Sequence, residues 1–367
     1  MNTSGNEAQP TIKDVAAHAG VSRATASRAL SDYGIVNAET RERVQRAAAN
    51  LGYMPNVLAR SMRAGTTQTI GLIITEIGLS VFDLAVRVVI DDVHAHGYQV
   101  LVATTNENLS SEVDALRVML EKQVDGVILV PSAVNDLSFL SERALASKPV
   151  VLLDRELPAS GLPSAIADNR QGARDAVAHL VEHGHRRIGL LVSTANIHAV
   201  TSVRPSGLVS SLNDRVEGYW EGLDAAGLAR DPELMRFSGG SGEPALLAAR
   251  ELLASPHRPT ALIGSNANVS LAILQAAQEL GLRVGEELSV IGFDDAPWAP
   301  IVTPALTVID LPIEEMAKAA VDELIAQIQA RRPTTHRPHI APFAMTLISR
   351  DSVARISDVA APSRETR

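Results

Sequence analysis

The stretch TIKDVAAHAGVSRATASRAL at residues 11–30 constrains this 367-residue chain more than any other. Ile12, Val15, Ala16 and Ala19 repeat at helical spacing, and the pattern stops at Gly20. Val21 and Ser22 open a second helical pattern whose inward positions are Ala26, Ala29 and Leu30. Two short helices joined by a tight glycine turn form a helix-turn-helix, whose second helix enters the major groove of DNA.

The second helix supplies the candidate contacts. Ser22 precedes it and can cap its free N–H groups. Arg23, Ala24 and Arg28 are expected at base edges, because an arginine can hold guanine bidentately and an alanine methyl suits a thymine methyl. Thr25, Ser27 and, further on, Asn56 are expected at phosphates, which position the protein without reading sequence. A third helix follows, capped by Asn37, running through Val44, Ala47, Ala48 and Leu51 and ended by Gly52. Pro55 then breaks the chain. Residues 57–63 could form a short helix, but only with a partner helix, DNA or both.

Charge agrees with this division. The net charge is −9, unsuited to DNA when taken whole. Through Thr66, however, eight Lys/Arg face five Asp/Glu, giving +3 and leaving −12 for the remainder. A basic head on an acidic body is the signature of a DNA module carried by a part that avoids DNA. The chain has no cysteine, which excludes disulfides, thiolate catalysis and cysteine–zinc sites. The polar N-terminus and the lack of a long apolar run predict a cytoplasmic location without membrane contact.

Beyond Thr69 short apolar runs alternate with amphipathic helices. IGLIIT, YQVLVATT, DGVILVPS, PVVLLD, SAIAD, RIGLLVS, TALIGS and LSVIGF read as strands. Helices are expected at 83–96, 111–123, 171–183, 215–226, 244–255 and 269–280. This rhythm predicts an α/β fold of doubly wound parallel sheets behind a small all-α head. The strands carry few polar residues, as burial on both faces requires. Ligands of such sheets bind beyond the carboxyl ends of the strands. Asp154, Asn266 and the pair Asp294–Asp295 fall there, and Arg215 opens a helix after a long loop. Such groups suit vicinal hydroxyls, and Phe82 and Trp298 could supply apolar faces for a sugar ring. GGSG at 239–242 does not link a first strand to a helix, so it is no dinucleotide fingerprint. His183 and His185 sit where a helix turns into a strand, and no metal or cofactor is expected. No nucleophile–base constellation stands out, so an enzyme is not expected either.

The chain resembles the LacI/GalR family of bacterial transcriptional regulators nearly end to end. The head matches in TIKDVAAHAGVS, LGYMPN and ARSMRAG. The body matches in QTIGLII, VDGVILVPS, PVVLLDRE, IADNRQGARDAVAHLVEHGHRRIGLL, PHRPTALIGSN, GLRVGEELSVIGFDD and TPALTVI. The resemblance implies a homodimer on a palindromic operator, with paired hinge helices in the minor groove and Met62 as the wedge. It implies a periplasmic-binding-protein-like body of two lobes that close on a small effector, most simply a sugar. Asp154, Arg215, Asn266 and Asp294 match effector-contacting positions.

The resemblance also divides the chain: 1–10 disordered, 11–54 the DNA-binding domain, 55–66 the hinge, 67–351 the core, 352–367 a flexible tail. Lobe one takes 67–167 and 298–330, lobe two 168–297 and 331–351. The tail lacks a leucine heptad, which favours a dimer over a tetramer. Three departures stand out. Ala267 follows Asn266 where aspartate is common, no aromatic precedes Pro244, and the 194–214 loop is long. They keep open a second reading, that of the catabolite-control branch, whose body binds a protein partner.

Overall fold

The computed structural model describes residues 10–30, 36–54, 66–132, 148–194, 207–330 and 340–356. Asn56 and Met62 lie outside the described residues, as does most of the 194–214 loop. The chain divides into two compact units, 1–68 and 69–367.

The first unit contains α1 (Ile12–His18), α2 (Arg23–Leu30) and α3 (Ala38–Leu51). Asp14 Oδ2 accepts from the Thr11 backbone N–H at 2.8 Å and from its hydroxyl at 2.7 Å, closing the front of α1. Gly20 turns the chain at φ 63°, a left-handed conformation in which Cβ would be unfavourable. Ser22 Oγ accepts from Thr25 N at 3.1 Å and Asn37 Oδ1 from Thr40 N at 2.7 Å. Each satisfies a helix-start N–H that has no partner within its helix. Val15, Ala26 and Val44 are fully buried, surrounded mostly by alanines that let the helices approach closely. Arg43 Nε donates to Ala19 O at 3.0 Å, tying α3 to the turn.

The second unit holds two sheets. The first comprises β1 (Thr69–Ile74), β2 (Gln99–Thr104), β3 (Gly126–Leu129), β4 (Val150–Leu153) and β5 (Ser164–Ala165). Its order is β2-β1-β3-β4-β5, all parallel, with α4 (Ser80–Ala95) and α5 (Leu109–Glu121) in the connections. The second sheet comprises β6 (Ile188–Ser193), β7 (Met235–Ser238), β8 (Ala261–Gly264), β9 (Ser289–Phe293), β10 (Thr307–Asp310) and β11 (Thr346–Ile348). Its order is β7-β6-β8-β9-β10-β11, and only β11 is antiparallel. Its helices are α6 (Asn169–Glu182), α7 (Ser210–Ala225), α8 (Glu243–Ala254) and α9 (Ala267–Glu279). Without β11 the two sheets have the same winding, so each reverses strand order beside its first strand, where α/β sheets open a crevice.

Most expected helices begin two or three residues early, and three boundaries differ by more. Residues 298–310 belong to the second lobe, not the first. Strand β10 pairs with β9 through Thr307↔Ile291, Val308↔Gly292 and Ile309↔Phe293, and Trp298, Ala299, Val302 and Leu306 pack in that lobe's core. The crossing to lobe one comes after Asp310. There α10 (Ile313–Ala330), a helix not named in the sequence reading although its apolar residues recur at helical spacing, buries Met316, Ala317, Ala320, Val321 and Leu324 with the first sheet. The tail is anchored past residue 352. Buried Ser352 donates to Val290 O at 2.6 Å and accepts from Thr307 N at 2.8 Å, and Ile356 N donates to His183 O at 3.0 Å. A buried hydroxyl satisfied on both sides is costly to remove, so this segment stays docked. Helix α7 starts at Ser210, because Leu212, one turn before Val216, extends the apolar spacing upstream of Arg215. Among the described residues no helix is long and apolar enough to cross a membrane.

Candidate functional site

On the first unit, α2 presents Arg23, Ala24 and Arg28 to solvent, with Thr25 and Ser27 half-buried beside them. Thr25 Oγ1 lies 2.8 Å from Ser22 Oγ, so the cap also fixes this threonine. The buried face is Ala26 and Ala29, which leaves the arginines on the open side of the helix.

In the second unit a cavity of about 250 Å³ lies beyond the carboxyl ends of both sheets. Glu76 follows β1, Glu107 follows β2, Ser132 follows β3 and Asp154 follows β4. From the other lobe come Ser193 at the end of β6, Ser241 after β7, Ser265 and Asn266 after β8, and Asp294 after β9. Phe82 and Leu79 add an apolar wall.

Asp154 and Asp294 occupy equivalent strand ends, and both take left-handed backbone, φ 65° and 71°. Each is pinned to the neighbouring strand: Asp154 N–H donates to Ala165 O and Asp294 N–H to Ile309 O, both at 2.9 Å. Non-glycine residues held this way cost on the order of 1–3 kcal/mol, and such strain clusters at functional sites.

Arg215 is held from several sides. Its Nε donates to Asn169 Oδ1 at 2.8 Å, its Nη1 donates to Ser265 O, and its guanidinium lies 4.2 Å above the Phe293 ring. Its Nη2 is 3.7 Å from Asp294 Oδ1, an ion pair too long for a hydrogen bond. Asp294 Oδ1 is therefore buried without a hydrogen-bond partner. Burial, with Asp154 and Asp310 nearby, outweighs Arg215 and pushes the Asp294 carboxyl up to about 6. Burial also raises Asp154, against the pull of Arg155 and Arg215.

Arg155 is just as fixed. Its Nη1 and Nη2 donate to Glu107 at 2.8 and 2.6 Å, and Nη1 also donates to Pro131 O at 2.9 Å. Its buried Nε makes no hydrogen bond and lies 3.5 Å from Asp154 Oδ2. Burial and the charge of Glu107 raise the Glu76 carboxyl. Behind Ser132, fully buried Glu112 accepts from Ser132 N at 2.5 Å, while its Oε1 has no partner.

Of the residues read as effector-binding, Phe82, Asp154, Arg215, Asn266 and Asp294 line the cavity. Asn266 spends its side-chain oxygen on capping α9 through Val269 N at 2.9 Å. Trp298 does not line it. The turn in which Ile301 and Val302 donate to Trp298 O folds the indole onto the second-lobe core. Asp295 also points elsewhere, clamping Arg350 at 2.8 and 2.7 Å. Glu76, Asn106, Glu107, Ser132 and Arg155 escaped the sequence reading. The strand-end rule that found Asp154 applies equally to them, but how far a loop carries a residue past its strand is not in the pattern. The ring nitrogens of His185 lie 2.9 Å from Thr260 Oγ1 and 3.1 Å from Ala354 O, which holds this ring inside the fold.

A helix-turn-helix unit on a two-sheet body with a cavity at its strand ends defines a bacterial regulator of the periplasmic-binding-protein-like class. Residues 11–56 match the family "Bacterial regulatory proteins, lacI family", and residues 177–353 match a periplasmic binding protein-like domain. The chain is 30% identical over 345 residues to the transcriptional repressor PurR of Photobacterium profundum, covering 94% of this chain and 98% of that protein. It is 32% identical over 332 residues to the repressor CytR of Escherichia coli, covering 90% and 93%. The structure of the Lac repressor dimer bound to operator and the anti-inducer ONPF superposes with a TM-score of 0.79 at 25% identity, covering 95% of this chain and all of that one. The chain belongs to the lacI family and is a DNA-binding transcriptional regulator of the repressor kind.

Proposed function

We propose that the protein binds a palindromic operator as a homodimer, and that a small hydroxyl-rich effector, a sugar or sugar derivative held between the lobes, controls that binding. The observation that carries this reading is the buried Asp294 carboxylate oxygen without a hydrogen-bond partner, facing a cavity beside Asp154 and Arg215. A polar atom buried without a partner in a native protein calls for an explanation, and a ligand donor is the simplest one here. The cavity, about 250 Å³, falls just below the usual ligand-site range of about 300–1,000 Å³, which favours a single ring. One solved relative, 29% identical, is the regulator CelR in complex with cellobiose. On the head, Arg23, Ala24 and Arg28 are assigned to base edges and Thr25 and Ser27 to phosphates, with Asn56 and Met62 in the hinge.

The test is a thermal-shift panel of sugars, polyols and nucleosides on the full chain, followed by operator binding with and without the hit. A ligand at 100 times its dissociation constant adds about 2.7 kcal/mol of stability. Asp294→Asn and Arg215→Met should abolish that shift and the effector's influence on DNA, while operator binding persists. If no compound shifts the protein and both variants regulate normally, the small-effector reading fails and the protein-partner reading takes its place.

A further inference from the structure

The cavity's charge goes beyond what a neutral sugar needs. Among the described lining residues, Glu76, Glu107, Asp154 and Asp294 face only Arg155 and Arg215. Both guanidiniums are largely committed. Arg155 is bidentate to Glu107 and bound to Pro131 O, and Arg215 is bound to Asn169 and Ser265. Two carboxylates are therefore in excess. Glu76 has no ion-pair partner among the described residues, and Asp154 has only the 3.5 Å approach of Arg155 Nε.

The four carboxylates also act on one another in series. Glu107 raises Glu76 and Asp154, and Asp154 raises Asp294, so the repulsion runs from one lobe to the other. Ionised carboxylates accept hydrogen bonds and cannot donate them. An anionic ligand would meet four carboxylates among the described lining residues, with only Arg155 Nε and Arg215 Nη2 left without a hydrogen bond to receive it. A neutral polyol would satisfy the acceptors and leave the excess charge in place. A cation would satisfy both, and attraction at a buried site is weakly screened.

Building on the effector reading above, we propose that the effector is a small hydroxyl-bearing amine of the amino-sugar or aminocyclitol class, its ammonium seated toward Glu76 and Asp154 and its hydroxyls toward Asp294 and Arg215. The same charges disfavour a phosphorylated or carboxylated sugar.

The test is calorimetric titration of the full chain with glucosamine, galactosamine and mannosamine, and with the aminocyclitol 2-deoxystreptamine. For the three hexosamines, the N-acetyl forms, parent hexoses and 6-phosphates serve as matched controls. The expected result is that at least one hexosamine binds tenfold or more tightly than its N-acetyl form and its parent, or that 2-deoxystreptamine binds where all neutral sugars are weaker, with no measurable binding of any 6-phosphate. Glu76→Gln should then reduce the amine's affinity about tenfold and that of neutral sugars by less. A parent sugar, N-acetyl form or phosphate that binds as well as the best amine overturns the inference and leaves the small-effector reading standing. Silence of every amine also overturns it. Silence of the neutral sugars and nucleosides as well removes the effector reading itself.

Discussion

The carboxyl of Asp294 keeps its proton to about pH 6, whereas its ordinary value is 3.8. The folded protein therefore binds a proton that the unfolded chain releases, so stability falls as pH rises from about 4 to 6. Two pKa units correspond to about 3 kcal/mol, present as a penalty above pH 6. Arg215, Asp154 and Asp310 face this carboxyl, and the Ala267 N–H contributes. Asp294→Asn should flatten that part of the pH–stability curve and make the ligand-free protein more stable than wild type at pH 7. Melting temperatures of both proteins between pH 4 and 7 decide it, and equal slopes would refute the burial argument. On the head, Arg28→Ala should relax base preference at one position in each half-site by about 1–3 kcal/mol. Affinities for an operator selected from random DNA and its single-base variants are the measurement. A uniform loss across all variants would instead assign Arg28 to a phosphate.

Helices α6 and α7 lie close because glycines face the contact. A Cβ at Gly218 would overlap the Arg170 carbonyl oxygen, and one at Gly222 would reach within 2.7 Å of Val177 Cβ. Overpacking of this kind costs about 1–3 kcal/mol or more, so Gly218→Ala should destabilise the body by that amount, read as a lowered denaturation midpoint at unchanged slope. An unchanged midpoint would mean the two helices can separate freely. The two glycines, four apart in EGYWEGL, sit on one helical face in the sequence, yet only the structure says what they meet. The same division holds elsewhere. The period of the apolar residues gave the head's helices and most body strands, because burial forces that period. It also pointed to Asp154, Asn266 and Asp294, because strand ends are where such sheets bind. It did not give Glu107, which two successive left-handed residues, Asn106 and Glu107 at φ 51° and 57°, carry into the cavity. Nor did it place Trp298, whose indole is turned onto the core by a tight turn through Pro300, since the apolar period does not say which way a turn faces a side chain.

At the scale of the molecule, the chain passes between lobes more than once. Lobe one takes residues 69–165 and then α10, lobe two takes 188–310 and then β11 with Ser352. Ending the chain after residue 345 removes β11 and the Ser352 bridge, and should lower the melting temperature. Ending it after 356 retains every contact described here and should leave the melting temperature unchanged. If both truncations melt alike, the last strand contributes nothing. Helix-turn-helix contacts are local in sequence, whereas both sheets wait for distant segments, so a growing polypeptide meets their requirements in a fixed order. The DNA-reading head can be finished early in translation. The body is incomplete until β11 and Ser352 have been made, and a product terminated before them would carry the reader without a finished body.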